Sequence, residues 1–310
     1  MTISKRQLGR TGVAVSVLGY GAMELRGAPA GPPISDQDAG RLLNRVLDGG
    51  IDLIDTSIDY GRSEELIGRY LSGRRDEYFL ASKCGCPPRE LVARLRPRLT
   101  LRRPHDYRAP NIRAGLERSL RRLRTDRLDL LQVHMSPSRA QLEADRTIET
   151  LTALRDQGKV RFVGMSGMLP DLPDQIAMGV FDVFQIPYSA LQGEHEALVA
   201  AAAAAGAGTL IRGGVARGGP ANGWRSGPLD QAPGEGQRRW DAAGLSDLLD
   251  GMSPQEFMLR FTISHPDVSS TIVGTRQPEH LQANLAFAAK GPLPADLYEQ
   301  AKHRLKLRIG

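Results

Sequence analysis

Four side chains able to bind or move a proton stand in the first half of the chain: Asp55, Tyr60, Lys83 and His134. A phenol with an ordinary pKa of about 10 is a poor acid at neutral pH. A lysine ammonium a few ångströms away stabilises the phenolate and lowers that pKa, and a carboxylate fixes the lysine and keeps it charged. So placed, Tyr60 can protonate an alkoxide as it develops, with His134 orienting the same oxygen or assisting the transfer. The set lacks an electron source for making that alkoxide, and a hydride cofactor would supply one. Singly, each residue has a plainer reading. Asp55 can cap a helix, Tyr60 can be a rim aromatic, Lys83 and Asp55 a structural ion pair, and His134 a satisfied core histidine. A third chemistry makes Lys83 a Schiff-base nucleophile, but the neighbouring acid keeps its amine protonated.

The elements that carry these residues decide between the readings. Asp55 closes the apolar run "IDLID" (51–55), Lys83 closes "YFLASK" (78–83) and His134 closes "LDLLQVH" (128–134). Tyr60 follows Asp55 by one short turn, in "DTSIDYGRSEELIG", where Ser63 reads as a helix cap. Further strand-like runs are "VSVLGY" (15–20), "VRFVGMS" (160–166), "FDVFQIP" (181–187), "GTLI" (208–211) and "STIVGT" (270–275). Helical patterns near 36–48, 63–72, 110–123, 143–157, 170–178, 194–205, 254–264 and 278–288 alternate with them. Ser35 or Asp36 can cap the first and Gly49–Gly50 stop it. Continuous apolar strands, each followed by a helix, specify a (β/α)₈ TIM barrel, expected as one domain over 1–310. Residues at the C-terminal ends of barrel strands converge on one mouth. The competing doubly wound sheet needs G-x-G-x-x-G after its first strand. Here Gly19 and Gly21 are followed by Glu24, and the fingerprint fails.

Three segments break the alternation. Residues 6–16, "RQLGRTGVAVS", read as an N-terminal β-hairpin able to plug the barrel floor. Two long loops, 86–110 and 212–236, belong at the C-terminal face, and Trp224 favours a lid over a linker for the second.

Composition bounds the rest. With 310 residues, 41% hydrophobic and 25% charged, the chain can bury a sizeable core. No apolar stretch reaches the roughly 20 residues of a membrane span. The N-terminal residues lack a secretory pattern, so a cytoplasmic protein is expected. The formal charge is +6, and arginines crowd residues 112–127. There Ile112, Leu116, Leu120 and Leu123 recur at helical spacing without interleaved aromatics. That pattern describes a solvated helix face rather than a nucleic-acid surface. Two cysteines, Cys84 and Cys86, are too few for a disulfide framework, and without a second pair they predict no metal site. His105, His195 and His265 show no partners in register.

The segments "LGRTGVAVSVLGYGAM", "GIDLIDTSIDYGRSEELIG", "LASKCG", "RLDLLQVH", "GKVRFVGMSG", "FQIPYS" and "STIVGTRQPEHLQAN" resemble the aldo-keto reductases over nearly the whole chain. The resemblance implies the (β/α)₈ barrel and the family's Asp, Tyr, Lys and His tetrad at Asp55, Tyr60, Lys83 and His134. It implies NADPH, with NADH second, as cofactor. Ser166 and Gln185 would hold the nicotinamide carboxamide, and Gly21, Met23 and Asp55 would border it. Gly274, Thr275, Arg276, His280 and Asn284 would take the adenine end, with Arg276 offering a charged fork to a 2′-phosphate. Three positions depart from the family pattern. Gly167 stands where Asn is common, Arg212 where an aromatic usually stacks, and Ala283 where Glu often precedes the Asn. Arg212 is expected flat on the nicotinamide or beside the phosphates. Met23, Met135, Tyr188 and Trp224 are expected to line an apolar pocket for a neutral aldehyde or ketone. Some relatives of this fold are redox sensors with little turnover, which gives the alternative reading.

Overall fold

The computed structural model describes residues 2–86, 105–215, 220 and 234–307. Eight parallel strands close into a barrel: β3 (Leu18–Gly21), β4 (Leu53–Asp55), β5 (Phe79–Cys84), β6 (Leu128–Val133), β7 (Val160–Ser166), β8 (Val183–Pro187), β9 (Gly208–Arg212) and β10 (Ser270–Val273). They neighbour one another in chain order, and β10 pairs back onto β3. The run expected as one strand over 15–20 is divided. Its first part, β2 (Ala14–Ser16), pairs antiparallel with β1 (Lys5–Gln7), and the chain enters the barrel only at Leu18.

That hairpin closes the barrel floor. Leu8 and Val15 are buried among Leu53, Phe79, Ala81, Leu130, Val183 and Leu210, an apolar cluster separate from the main core. Arg6 ties the hairpin to the far side by donating to the carbonyls of Ile263, His265 and Val268 at 2.7–3.1 Å. With the floor sealed, chemistry is confined to the opposite end.

The helices follow the sequence periodicity. Ser35 Oγ accepts from Asp38 N at 3.0 Å and starts the helix Asp36–Asp48. In the helix Ala109–Leu123 the stripe Ile112, Leu116, Leu120 and Leu123 is buried, while Arg113, Arg121 and Arg124 are exposed. Helix Ser63–Leu71 crosses this helix at Gly68, where a Cβ would lie 2.1 Å from the Arg122 carbonyl oxygen. The glycine sets how closely the two helices approach. Helices Arg139–Ala144, Glu235–Ala242 and Ala295–Arg304 were not anticipated. Among the described residues no helix is long and apolar enough to cross a membrane. Trp224 and most of both long loops lie outside the described residues.

Candidate active site

Register brings Asp55 and Lys83 together. Strand β4 pairs with β5 through Asp55↔Ala81, so Lys83 lies two residues further toward the mouth on the same face as Ala81. Lys83 Nζ donates to Asp55 Oδ2 at 2.6 Å and to the Thr56 carbonyl at 2.8 Å, with both side chains buried. Burial alone would lower the lysine pKa. Asp55 and Tyr60 reverse that, and the net shift is upward, so the ammonium is charged. Asp55 Oδ1 accepts from Gln132 Nε2 at 2.8 Å and from Gln185 Nε2 at 2.9 Å. Three donors thus compensate a carboxylate held out of water.

Tyr60 sits in the tight turn before helix Ser63–Leu71, its N–H donating to the Ser57 carbonyl at 3.0 Å. Ser63 does not cap that helix. The N-cap is Arg62, and the Ser63 hydroxyl instead donates to the Ala22 carbonyl at 2.9 Å and meets Thr56 Oγ1 at 2.8 Å. Those bonds pin the turn to β3 and β4, a more useful task for a buried hydroxyl beside the mouth. Lys83 Nζ stands 4.9 Å from the Tyr60 ring centroid, and its ammonium acts on the phenol by charge and by hydrogen bond. An ammonium has three donors. Asp55 and Thr56 take two, leaving the third for Tyr60.

The phenol pKa is nevertheless raised, not lowered as the sequence led us to expect. Burial dominates, and the carboxylates of Asp55 and Asp59 add to it, outweighing Lys83.

His134 follows β6, with its N–H donating to the Cys84 carbonyl at 3.1 Å and its ring edge-on to Tyr60, centroids 6.4 Å apart. Burial lowers its pKa to about 3, helped by the charges of Lys83, His105 and Arg212 and opposed by Asp59. The imidazole is neutral at physiological pH. Its Nδ1 lies 2.9 Å from Cys86 Sγ. Burial pushes the Cys86 thiol well up, so the thiol keeps its proton and donates, leaving Nε2 as the protonated nitrogen.

Ser166 and Gln185 end adjacent strands in direct register, with Ser166 Oγ donating to Gln185 Oε1 at 3.3 Å. Arg212 ends β9, and its guanidinium lies near enough to Tyr60 and Asp55 to feel both charges. Gly21 ends β3, and Met23 is half-exposed in the following turn Ala22–Arg26. Across from Gly21, Gly274 follows β10. A Cβ there would meet the Gly21 carbonyl oxygen at 2.6 Å, so only glycine lets the two backbones approach this closely. The buried Tyr20 hydroxyl donates to the Thr275 carbonyl at 2.7 Å and holds this loop on β3. Thr275 Oγ1 accepts from Gln277 N at 3.0 Å. The helix Pro278–Ala289 then starts without a side-chain cap. Arg276 donates to the Pro33 carbonyl at 3.3 Å, His280 is exposed and Asn284 half-buried.

Asp55, Tyr60, Lys83, His134, Ser166, Gln185 and Arg212 therefore meet at one mouth, with Gly274 to Asn284 along the β10–β3 rim. Tyr188 does not join them. It is fully buried against Phe261 and His265, outside the barrel wall. Sequence reasoning missed Gln132, Tyr20 and Cys86. Gln132 and Tyr20 lie in strands already assigned, but only the register shows that they reach Asp55 and Thr275.

The Aldo/keto reductase family profile matches residues 17–304. D-threo-aldose 1-dehydrogenase of a Pseudomonas species is 28% identical over 327 aligned positions, covering 95% of each chain. L-galactose dehydrogenase of Arabidopsis thaliana is 31% identical over 58% of this chain, and the match spans 55% of that protein. The holo form of the aldo-keto reductase AKR11C1 from Bacillus halodurans superposes with a TM-score of 0.82 at 25% identity, covering 99% of this chain and 98% of that one. With the barrel and the clustered mouth residues, these matches show that the chain belongs to the aldo/keto reductase family.

Proposed function

We propose that the protein is a single-domain, NADPH-dependent reductase of a neutral aldehyde or ketone, with Tyr60 as the proton donor. The observation that carries this reading is the Lys83 ammonium, buried between Asp55 and Tyr60 at the barrel mouth. The bound nicotinamide supplies a hydride to the carbonyl carbon. The chain's own residues do the rest. Tyr60, with its pKa raised, holds a proton through neutral pH and delivers it to the oxygen as negative charge accumulates there. Lys83 limits how far burial raises the phenol pKa. His134, neutral and with Nδ1 engaged by Cys86, donates from Nε2 to the same oxygen and orients it.

The residues present suit a nicotinamide dinucleotide. Ser166 keeps its lone pairs and Gln185 a second N–H for a carboxamide. The uncapped helix at Pro278 and the Arg276 guanidinium suit phosphate, and Arg276 favours the 2′-phosphate of NADPH. Arg212 brings a cation toward the ring position, which favours the neutral reduced cofactor over the oxidised one. Lys83, held charged by Asp55, has no free amine for Schiff-base chemistry.

The test is steady-state reduction of a generic aldehyde by wild type and Tyr60→Phe, with cofactor affinity measured by fluorescence. The variant should lose about 10²–10⁴-fold in kcat while binding cofactor as before. A wild type that binds NADPH but has no such rate to lose would favour the sensor reading instead.

A further inference from the structure

The turn after β5 and the chain leading into the helix Ala109–Leu123 meet over His134. Gly85 adopts φ of 88°, a conformation open to glycine, and turns Cys86 toward His134, with Sγ 2.9 Å from Nδ1. The returning chain is tied to the same place. Asp106 N donates to the Gly85 carbonyl at 2.9 Å, and the Tyr107 hydroxyl donates to the His134 carbonyl at 2.7 Å. The His105 ring stacks on Tyr107 and stands edge-on to His134, with centroids 5.8 Å apart. One thiol sulfur and two imidazole nitrogens thus lie within 4.8 Å of one another.

We propose that Cys86, His105 and His134 form a binding site for a borderline-soft divalent metal ion, zinc in the first instance. One thiolate with two imidazoles is a donor set for zinc, whereas magnesium and calcium require oxygen. Zinc bonds of about 2.3 Å to sulfur and 2.0–2.1 Å to nitrogen place tetrahedral ligand atoms roughly 3.3–3.6 Å apart. The sulfur–nitrogen pair must therefore open from 2.9 Å, and the widest pair close from at most 4.8 Å, movements of about an ångström. The fourth position falls to water. Asp59 acts electrostatically on both His105 and His134 and offsets the metal's charge, while Lys83 and Arg212 oppose it. Binding forms a Zn–S bond as the Cys86 proton leaves to solvent, and no electrons are transferred. The site shares His134 with the proposed reductase centre, but its test reads metal and ligands alone, so either reading can fail without the other.

The experiment titrates cobalt(II) and zinc(II) into the reduced full-length protein. It follows the thiolate-to-cobalt charge-transfer absorption and the competition of zinc with a chromogenic chelator. One metal per chain with that absorption is expected, and each of Cys86→Ser and His105→Gln should weaken binding at least tenfold. In the wild type, the imidazole resonances of His105 and His134 should shift together on adding zinc, which needs no variant to fold. Absence of the absorption, unchanged affinity in both variants, or unmoved resonances would overturn the proposal.

Discussion

A phenol surrounded by protein is harder to ionise than one in water, and Tyr60 follows that rule despite the ammonium beside it. In the proposed reduction this proton must be present until the carbonyl oxygen demands it, and a raised pKa suits that role at neutral pH. Lys83 opposes the rise by its charge and its hydrogen bond. At the other end of the proposed cofactor, Arg276 has the chemistry of a phosphate ligand. A charge-assisted hydrogen bond is worth about 1.5–3 kcal/mol, so Arg276→Ala should raise the Kd for NADPH roughly 10- to 100-fold while leaving that for NADH unchanged. Equal losses for both cofactors, read by fluorescence titration, would remove Arg276 from the 2′-phosphate.

Among the elements, the helix Ser63–Leu71 carries the most consequence for the site, because it begins three residues after Tyr60. Its position depends on Gly68, whose missing Cβ makes room for the Arg122 carbonyl. Gly68→Ala must push apart two backbones that have no flexible side chain to yield. The expected cost is about 1–3 kcal/mol in urea unfolding. Turnover should fall with it, since the turn holding Tyr60 moves with the helix. An unchanged unfolding midpoint would show that the two helices slide freely.

Across the whole molecule, buried neutral histidines set the response to acid. His265 is buried, and its pKa is lowered to about 4, chiefly by burial with Lys302 and Arg6 adding and Asp267 opposing. His134 is lowered to about 3. A base whose folded pKa lies below its unfolded value contributes stability that is complete above the unfolded pKa. As pH falls below that value, the unfolded chain takes up protons first and stability drops until the folded pKa is passed. For His265 the window runs from about 6.5 down to about 4, and for His134 it extends to about 3. The His265→Gln variant should therefore lose about 2 kcal/mol less than wild type between about pH 7.5 and pH 5 in urea unfolding. Parallel losses in the two proteins would show that His265 titrates normally when folded.

Local patterns written along the chain were legible from it alone. The apolar runs, the helical stripes such as Ile112 to Leu123, and the Ser35 cap depend on near neighbours in sequence, so spacing suffices to find them. Strand ends in a barrel must converge, which is why Asp55, Lys83 and His134 could be placed at one mouth from their positions in three runs. Interactions that depend on register and burial were decided only by the tertiary structure. Gln132 reaches Asp55 because neighbouring strands align, and His105 reaches Cys86 and His134 because a distant segment returns over them. Tyr188 turned inward to the core although Gln185, three residues earlier, borders the site. The sign of the Tyr60 shift was likewise outside the sequence's reach, since it is the difference between desolvation and several opposing charges at distances only the folded chain defines.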